Sequence, residues 1–592
     1  MSALRPIQFV ELRQPRCSLR FGTAPCPATG TPKCYNTWGT CPTPATKAVF
    51  NASGRIRWRF VQNRPGNFAV GDFSAVDDPA TNAIVVSSLS VSTSKAQINV
   101  SGILDGKAPF GVHGSCSVTM PDFVWDDHVG DFYLGSRVNL PKRMFWAVWT
   151  ARNTFFGDME IVIYDGYEGD TLAAMRQRLY KLDNVSGPDA SGQVTLQGID
   201  PLIEAEGKTS KFPAAMDVKL VSAITSSATT IRVVTNEESN LSRVFGIGGS
   251  KGVIIGSEIM FYTAYSVVSA GIYDLTGVTR GVLVTTAAAA AAEARVQRIG
   301  YFQDVPTWEC GQYLITDHTP LAASLISPSW LDEGGTFLTT FRSTTVITTP
   351  TDVDVLLGEI CQQGMFYIWW GEYTQQIQMR AVRPPRGAVT LIGMDSEIIA
   401  GSAALRREPQ SMLTRVFVYY SPIDPTKTEK SNYRVVDGVV ESLNEVPQAA
   451  GKAFTLEITA RWINTSAHAQ MLIARILSRY RDVPRFLTIR VSAKDREITV
   501  GDICDVTTRE IVDSEGRFRS TRWQAISWEE ITQGEVYLLD MQTYELIGKF
   551  GNWMGAAAPD YASATDAEKA DGAWWADAAG LMPDGSDGYL WQ

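Results

Sequence analysis

The sequence predicts a mainly β, multidomain protein with β-sandwich or barrel-like domains, a small α+β module and few helices. Two observations support this prediction. The chain has 592 residues with 49 glycines and 28 prolines, and short runs rich in Val, Thr, Ile and aromatic residues recur between turn residues. At roughly 150 residues per domain, the length is sufficient for about four domains.

Charge and hydropathy argue against two classes of protein. The net charge is -10 and the chain has no Lys/Arg-rich block, so sequence-specific nucleic-acid binding is not expected. The N-terminal stretch MSALRPIQFVELRQPRC is interrupted by charges, and no later run approaches the ~18 apolar residues of a membrane span. We therefore expect no membrane anchor, and folding in a reducing cytoplasm.

The N-terminal third divides into two predicted units. Residues 1–48 are rich in Cys, Pro, Thr and Gly, and we expect them to be irregular and to need something other than hydrophobic packing to hold them. Residues 49–213 contain the predicted strands IRWRF, AQINVSG, RMFWAVWTARN and MEIVIYDGY, separated by turns. They are predicted to form an N-terminal β domain.

The remaining chain is predicted to contain four more units. Residues 214–300 form a small β insertion domain, in which the glycines of GIGGSKG are a turn and not a phosphate-binding loop. Residues 301–404 form an α+β module, with a helix over TDVDVLLGEICQQ followed by strands MFYIWWG and QIQMRAVRP. Residues 405–548 form a C-terminal β domain with one helix between Thr465 and Asp482, and residues 549–592 form a tail or arm.

Four of the eight cysteines lie within 25 residues of each other. These are Cys17, Cys26, Cys34 and Cys41, separated by eight, seven and six residues. Metal-thiolate bonds can replace a hydrophobic core in such a segment, and four thiolates suit zinc or an iron-sulfur cluster. Spacing alone leaves three alternatives open: an iron-sulfur cluster, zinc, and disulfides or free thiols. The isolated Cys116, Cys310, Cys361 and Cys504 are expected to be buried apolar residues.

The segment RCSLRFGTAPCPATGTPKCYNTWGTC, followed by IRWRF, resembles the N-terminal segment of a family of siphophage and prophage tail-tip proteins. That family's pattern is approximately Cys, then APC, then KCYNT-x-x-TC. The resemblance continues through WTARNTFFGDMEIVIYDGYEGD, NVSGPDASGQVTLQGIDPL, SEIMFYTA with LTGVTRG, and TDVDVLLGEICQQ with QIQMRAVRP. It therefore covers most of the chain in the family's order.

This resemblance implies a structural, non-enzymatic baseplate hub protein, similar in role to the tail-tip protein of phage lambda. It implies that Cys17, Cys26, Cys34 and Cys41 bind one iron-sulfur cluster, of the 4Fe-4S type. It also implies a homotrimer in the virion, assembled in the host cytoplasm, around a channel through which DNA passes without specific binding. The implied partners are the distal tail protein, the tape measure protein and central fibre or receptor-binding proteins.

Other residue patterns give weaker functional hypotheses. Asp126, Asp127 and His128 form a short string that could bind a metal, but a solvated loop is favoured. His113 and Cys116 lie three residues apart, a spacing that does not establish a nucleophile and its base. No pair of carboxylates stands out that would mark a cell-wall hydrolase.

Two alternative functions remain open at this point. One is a tail-associated cell-wall hydrolase or peptidase. The other is a host-receptor or carbohydrate-binding module, because the Trp-rich runs FWAVW (145–149) and YIWW (367–370) could stack on sugars, although packing within strands is favoured for both runs.

Overall fold

The structure is a computed structural model. It describes residues 5–29, 33–42, 50–62, 84–125, 127, 131–137, 142–167, 170–206, 210–383, 389–439, 454–492, 497–544, 549–550, 552–553, 559, 561–565, 572–573 and 589–590. Strands make up 40% of the chain and helices 18%. The predicted mainly β, multidomain fold with few helices is therefore confirmed.

All eight strands of one large sheet come from the first third of the chain. Its elements are β1 Pro6–Arg16, β2 Gly54–Val61, β3 Ile84–Val85, β4 Ser90–Ser94, β5 Ala96–Gln97, α1 Gly102–Asp105, β6 Ser115–Pro121, β7 Val124–Trp125, β8 Arg143–Met144, α2 Phe145–Arg152, β9 Glu160–Tyr167, β10 Arg176–Ser186, β11 Gln193–Ile199 and β12 Lys211–Phe212. Eight strands pair in the order β3-β2-β1-β9-β10-β11-β6-β4. Only the β2–β3 pairing is parallel.

Strand β1 lies inside this sheet, between β2 and β9. The predicted irregular structure of residues 1–48 is therefore wrong for Pro6–Arg16. The charged residues of this strand obscure the alternation of apolar and polar residues by which a strand is recognised in a sequence. In the structure the buried Glu11 is paired with cations, because it accepts hydrogen bonds from Arg59 at 2.6 Å and from Arg13 at 2.7 Å. Pairing of this kind offsets the cost of burying charge, so a charged segment can form a central strand.

Helix α2 occupies the run FWAVWTAR, so the predicted strand there is also wrong. Phe145, Trp146 and Trp149 share one helical face and are buried against the sheet. A residue distant in the sequence stabilises the first turn of the helix: the carboxylate of Asp122 accepts a hydrogen bond from the Trp146 backbone N–H at 3.0 Å. The expected core packing of these aromatic residues is confirmed, but a helix provides it.

The second region forms two small sheets around a core of their own. Its elements are β13 Lys219–Leu220, β14 Thr230–Val234, α3 Glu238–Ser242, β15 Gly252–Ile255, β16 Glu258–Phe261, β17 Ala264–Ser269, β18 Ile272–Thr276 and β19 Gln297–Arg298. The sheets have the orders β13-β14-β18-β17 and β16-β15-β19.

The third region contains three α-helices and two pairs of antiparallel strands, of which only the second is a hairpin. Its elements are β20 Gly300–Pro306, α4 Thr307–His318, α5 Ser329–Phe337, β21 Arg342–Ile347, β22 Thr351–Asp352, α6 Val353–Gly364, β23 Phe366–Gly371 and β24 Gln376–Ala381. The predicted helix followed by two strands is confirmed in α6, β23 and β24. Within α6, Leu356, Ile360 and Cys361 are buried as expected, whereas Val355 faces outward.

The fourth region builds a second large sheet and a smaller one. Its elements are β25 Thr390–Gly393, β26 Ala404–Arg407, β27 Arg415–Tyr420, β28 Arg434–Val439, β29 Thr455–Ala460, α7 Ser466–Tyr480, β30 Arg485–Ser492, β31 Ile503–Thr507, β32 Thr521–Thr532, β33 Val536–Thr543, β34 Lys549–Phe550, β35 Asn552–Trp553, β36 Gly572–Ala573 and β37 Tyr589–Leu590. Most of the predicted tail, 549–592, lies outside the described residues.

Helix α7 confirms the helix expected between Thr465 and Asp482. It begins after Thr465, whose hydroxyl accepts a hydrogen bond from the His468 N–H at 3.2 Å, as a helix N-cap does. Leu472, Ile476 and Tyr480 on the predicted face are buried.

The two large sheets are joined by strand β5. The C-terminal sheet has the order β25-β31-β32-β33-β30-β26, and β5 pairs with β32 through Ser527 and Trp528. Two side-chain contacts also connect the two sheets: Lys95 binds Asp540 at 2.6 Å, and the Tyr167 hydroxyl donates to the Gly534 carbonyl at 2.7 Å. The N-terminal and C-terminal sheets therefore contact each other directly. Within the described part of the chain, no helix has the length and apolar character that a membrane crossing requires.

Candidate functional site

The four clustered cysteines lie on a segment, Cys17 to Cys41, that starts where β1 ends. We call it the cysteine segment. Cys17 is buried, and Cys26, Cys34 and Cys41 are partly buried. Among the segment's described residues, only Cys17 and Ala28 are buried apolar residues. Hydrophobic packing thus contributes little to holding it, as the sequence predicts.

Asn36 connects the two ends of the cysteine segment. Its backbone carbonyl accepts a hydrogen bond from Cys17 N–H at 2.9 Å. Its side-chain amide donates to the carbonyls of Cys17 and Leu19, each at 3.0 Å. Asn36 has a φ of +58°, a left-handed conformation that Asn adopts more readily than most residues. These bonds return the chain carrying Cys34 to the neighbourhood of Cys17.

The surroundings of the Cys34 thiol raise its pKa. Burial is the largest cause, a hydrogen bond from the Asn36 backbone opposes it, and the charges of Cys17, Cys41 and Cys26 add to the increase. Cys34 lies two residues before Asn36, whose hydrogen bonds to Cys17 connect these two parts of the segment.

Tyr35 anchors the cysteine segment to the β domain. Its ring lies between two guanidinium groups, 3.8 Å from Arg137 and 3.6 Å from Arg152. Each arginine is oriented by an aspartate: Arg152 makes two hydrogen bonds of 2.6 Å to Asp127, and Arg137 pairs with Asp131. A cation on each face of an aromatic ring is a stabilising arrangement.

Arg137 also binds the backbone of the cysteine segment. Its two terminal nitrogens donate to the carbonyls of Lys33 at 2.9 Å and Cys34 at 2.8 Å. The position of Cys34 is therefore determined by a residue more than 100 positions away in the sequence. No local pattern identified Arg137, Arg152 or Tyr35 as part of this site.

The end of helix α2 also contacts the cysteine segment. The Thr37 hydroxyl donates to the Arg152 carbonyl at 2.8 Å. Gly39 approaches the same carbonyl so closely that a Cβ atom there would lie 2.9 Å from its oxygen. Asp127, the one described residue of the string Asp126-Asp127-His128, pairs with Arg152, and Asp126 and His128 lie outside the described residues.

The number and type of these side chains, four thiols, suit a metal centre. Zinc and iron-sulfur clusters both take four thiolates. In the part of the chain that the structure describes, no three His, Cys, Asp or Glu side chains are arranged to hold a metal ion. In a four-iron cluster each thiolate binds a different iron, so the four sulfur atoms need not approach one common point.

The other four cysteines are buried, as predicted. Burial raises the pKa of Cys116 to about 12, so its thiol is protonated at neutral pH. His113 lies between two carboxylates, 2.9 Å from Asp200 and 3.0 Å from Glu206. These partners outweigh the effect of burial and raise the pKa of His113 to about 10. A protonated imidazole and a protonated thiol do not form a base and its nucleophile.

Comparison with known proteins gives structural similarities only. No protein-family model matches the chain, and no curated protein matches it. One similar solved structure is the 43 kDa tail protein of prophage MuSo2 from Shewanella oneidensis, with 7% identity, a TM-score of 0.32, and coverage of 78% of this chain and 96% of that one. A tail protein from Neisseria meningitidis MC58 has 9% identity, a TM-score of 0.32, and coverage of 77% and 96%.

A third similar structure belongs to the virion of a native gene transfer agent particle. It has 12% identity, a TM-score of 0.30, and covers 57% of this chain and 88% of that chain. These three structures are thus two tail proteins and a component of a virion. The class that the fold defines is a multidomain, mainly β protein.

Proposed function

We propose that this chain is a structural component of a long-tailed phage particle, a tail-tip or baseplate hub protein that joins the tail tube to the receptor-binding tip. Cys17, Cys26, Cys34 and Cys41 would hold an iron-sulfur cluster. The observation that supports the site most strongly is the return of the chain carrying Cys34 toward Cys17, through the hydrogen bonds of Asn36 with Cys17 and Leu19. The motif resemblance across most of the sequence supports the tail-tip role.

The cluster's role would be to fold the cysteine segment. Metal-thiolate bonds supply folding free energy where apolar burial is scarce, and the segment has only two buried apolar residues in its described part. Arg137 and the Tyr35 ring hold the segment against the β domain from outside. The protein acts by assembly and conformational change and catalyses no reaction.

The cofactor test is the replacement Cys34→Ser in protein purified without oxygen. The unsubstituted chain should be brown and contain iron and acid-labile sulfide. Cys34→Ser should lose most of both and become sensitive to protease within the cysteine segment, because the segment loses its cross-link. Cys310→Ala is the matched control: Cys310 is fully buried and isolated, so this variant should keep its iron. Colourless protein with one zinc, or paired disulfides in the particle, would contradict the cluster assignment and leave the tail-tip role standing.

The tail-tip role is tested in assembled particles. Hub proteins close a ring around the tail axis, and the resemblance implies threefold symmetry. Cross-linking of intact tails should trap trimers of this chain, together with the distal tail and tape measure proteins. Hexamers, or a chain that stays monomeric and unattached under tail-assembly conditions, would count against a hub.

A further inference from the structure

Helix α2 is apolar on its solvent side as well as on the side that packs on the sheet. Arg152 is its only charged residue, and the Thr150 hydroxyl donates to a carbonyl of the helix itself at 2.8 Å. On the outer side, Ala147 and Ala151 are exposed and Val148 is partly exposed. A surface helix normally has a polar outer side, and a helix that is apolar all round is normally covered.

Larger apolar side chains extend this surface beyond both ends of the helix. Val124 and Met144 are cross-strand partners in β7 and β8, directly before α2. Phe155 follows the helix, and Trp38 precedes Gly39, which lies against the carbonyl of the last helical residue. Val124 and Phe155 are 63% and 65% exposed. Exposed apolar surface of this extent marks an interaction site.

We call this surface the α2 face. It consists of Trp38, Val124, Met144, Ala147, Val148, Ala151 and Phe155.

The α2 face lies in a basic part of an acidic chain. Residues 1–59 contain nine Lys or Arg residues and one acidic residue, although the whole chain has a net charge of -10. Lys142 and Arg143 are exposed where the α2 face begins. At its other end, Lys33 lies two residues before Tyr35, whose ring packs on the last residue of the helix. A partner with acidic groups is therefore favoured.

The C-terminal residues 549–592 have the complementary composition. They contain seven acidic residues and two lysines. They also contain seven aromatic residues, which are Phe550, Trp553, Tyr561, Trp574, Trp575, Tyr589 and Trp591. Trp and Tyr are the side chains that most often dominate the binding energy of protein interfaces. The acidic groups suit the exposed cations, and the aromatic groups suit the apolar centre of the α2 face.

Within one chain these C-terminal residues do not cover the α2 face. Their described strands pair with each other, β34 with β37 and β35 with β36. Met144 and Trp38 of the α2 face remain 40% and 38% exposed in the same chain. The acidic segment that covers this face would therefore come from another molecule.

We propose that the α2 face of one chain binds residues 549–592 of a second copy of this chain. The contact rests on the ring proposed above and says which two surfaces form it. Because the two surfaces differ, each copy keeps one of them free for the next copy, and such head-to-tail contacts close into rings. Nucleic acid is the other acidic candidate, but its binding surfaces are polar and positively charged, whereas the centre of this face is uncharged.

The first test is carbodiimide coupling, which joins lysine and carboxylate groups in direct contact. Isotopically light and heavy full-length chains are mixed, coupled and analysed by mass spectrometry. Lys142 or Lys33 should be coupled to acidic residues of 549–592, in peptide pairs that combine a light and a heavy chain. Pairs of like label only would place the contact within one chain and overturn the second copy as its source.

The second test is sedimentation of the full chain and its variants. Ala147→Glu combined with Ala151→Glu puts two carboxylates in the centre of the α2 face, so self-association should weaken by about tenfold or more. Both alanines are exposed, and thermal melting checks that the variant is folded. The matched control is Ala322→Glu combined with Ala323→Glu, two exposed alanines of the third region, which should associate normally.

Charge and salt separate this contact from unspecific adhesion of apolar surface. Ala147→Lys combined with Ala151→Lys should associate more tightly than the glutamate pair, and added salt should reduce the difference because it screens exposed charges. The proposal is overturned when the chain stays monomeric at its highest soluble concentration, when the glutamate pair associates like the control, or when duplex DNA binds this face and no coupling between chains is found. Trimers in intact tails without this coupling would reject the contact and leave the hub role standing.

Discussion

Arg178→Met is expected to destabilise the folded chain by about 3–5 kcal/mol, because it leaves two buried carboxylates without their cation. Arg178 lies on β10 and is almost fully buried. Its guanidinium binds Asp165 at 2.7 Å, Glu530 at 2.8 Å and the Thr93 hydroxyl at 3.1 Å. Glu530 belongs to β32 of the C-terminal sheet, so this one cation connects both large sheets.

The measurement for Arg178→Met is urea unfolding followed by tryptophan fluorescence at two pH values. Burial and Asp165 raise the pKa of Glu530, and Arg178 opposes them. Without Arg178 the folded state favours protonated Glu530, so the variant should regain stability as the pH falls from about 8 to 5.

The matched control for this variant is Arg232→Met. Arg232 makes a comparable two-bond pair with Asp274, at 2.8 and 2.9 Å, but on an exposed surface. Exposed pairs contribute about 0–1 kcal/mol. Equal effects of the two substitutions would show that Arg178 does not have the proposed role at the joint between the sheets.

Trp462→Ala is expected to cost about 3–5 kcal/mol, because it opens a large cavity in the main core. Trp462 is fully buried, with its ring centroid 5.3 Å from that of Phe302. Its indole N–H donates to Glu359 at 2.9 Å, and its backbone N–H donates to Gln363 at 2.9 Å. Both acceptors lie on α6, so the substitution removes a contact between the third and fourth regions.

Thermal and urea unfolding of Trp462→Ala should be compared with Trp462→Phe and Leu331→Ala. The Phe variant keeps most of the apolar contact and loses the indole hydrogen bond, so a smaller cost is expected. Leu331 is exposed on α5, and its truncation should change stability by less than about 0.5 kcal/mol. A Trp462→Ala effect no larger than that of Leu331→Ala would contradict the packing described.

Local sequence patterns predicted the elements whose partners lie close in the sequence. Helix α6 was predicted by apolar residues at helical spacing after Asp352, and α7 by apolar residues on one helical face. The hairpin β23–β24 was predicted by two strand-like runs separated by a short turn. In each case the spacing of apolar residues determines which side is buried.

The errors occurred where distant contacts override the local pattern. In β1, Glu11 is buried because Arg59 binds it, and Arg59 lies in the next strand of the sheet, beyond the cysteine segment. In α2, Asp122 binds the first turn of a helix whose sequence alternates like a strand. The pairing of β5 and of β25 with the C-terminal sheet has no local signature either.

For the candidate site, the sequence by itself determined the residue types: four clustered cysteines in a segment too poor in apolar residues to form a core. Only the tertiary structure decided how this segment is held, through Asn36, through Arg137 on the backbone carbonyl of Cys34, and through the Tyr35 ring between two cations. The α2 face likewise exists only in the folded chain, where β7, β8 and the turn at Trp38 meet around one helix. The physical reason is that residue type and spacing are properties of the chain, whereas a hydrogen bond or a surface built from separate segments requires residues far apart in sequence to be brought within a few ångströms by the packing of whole sheets.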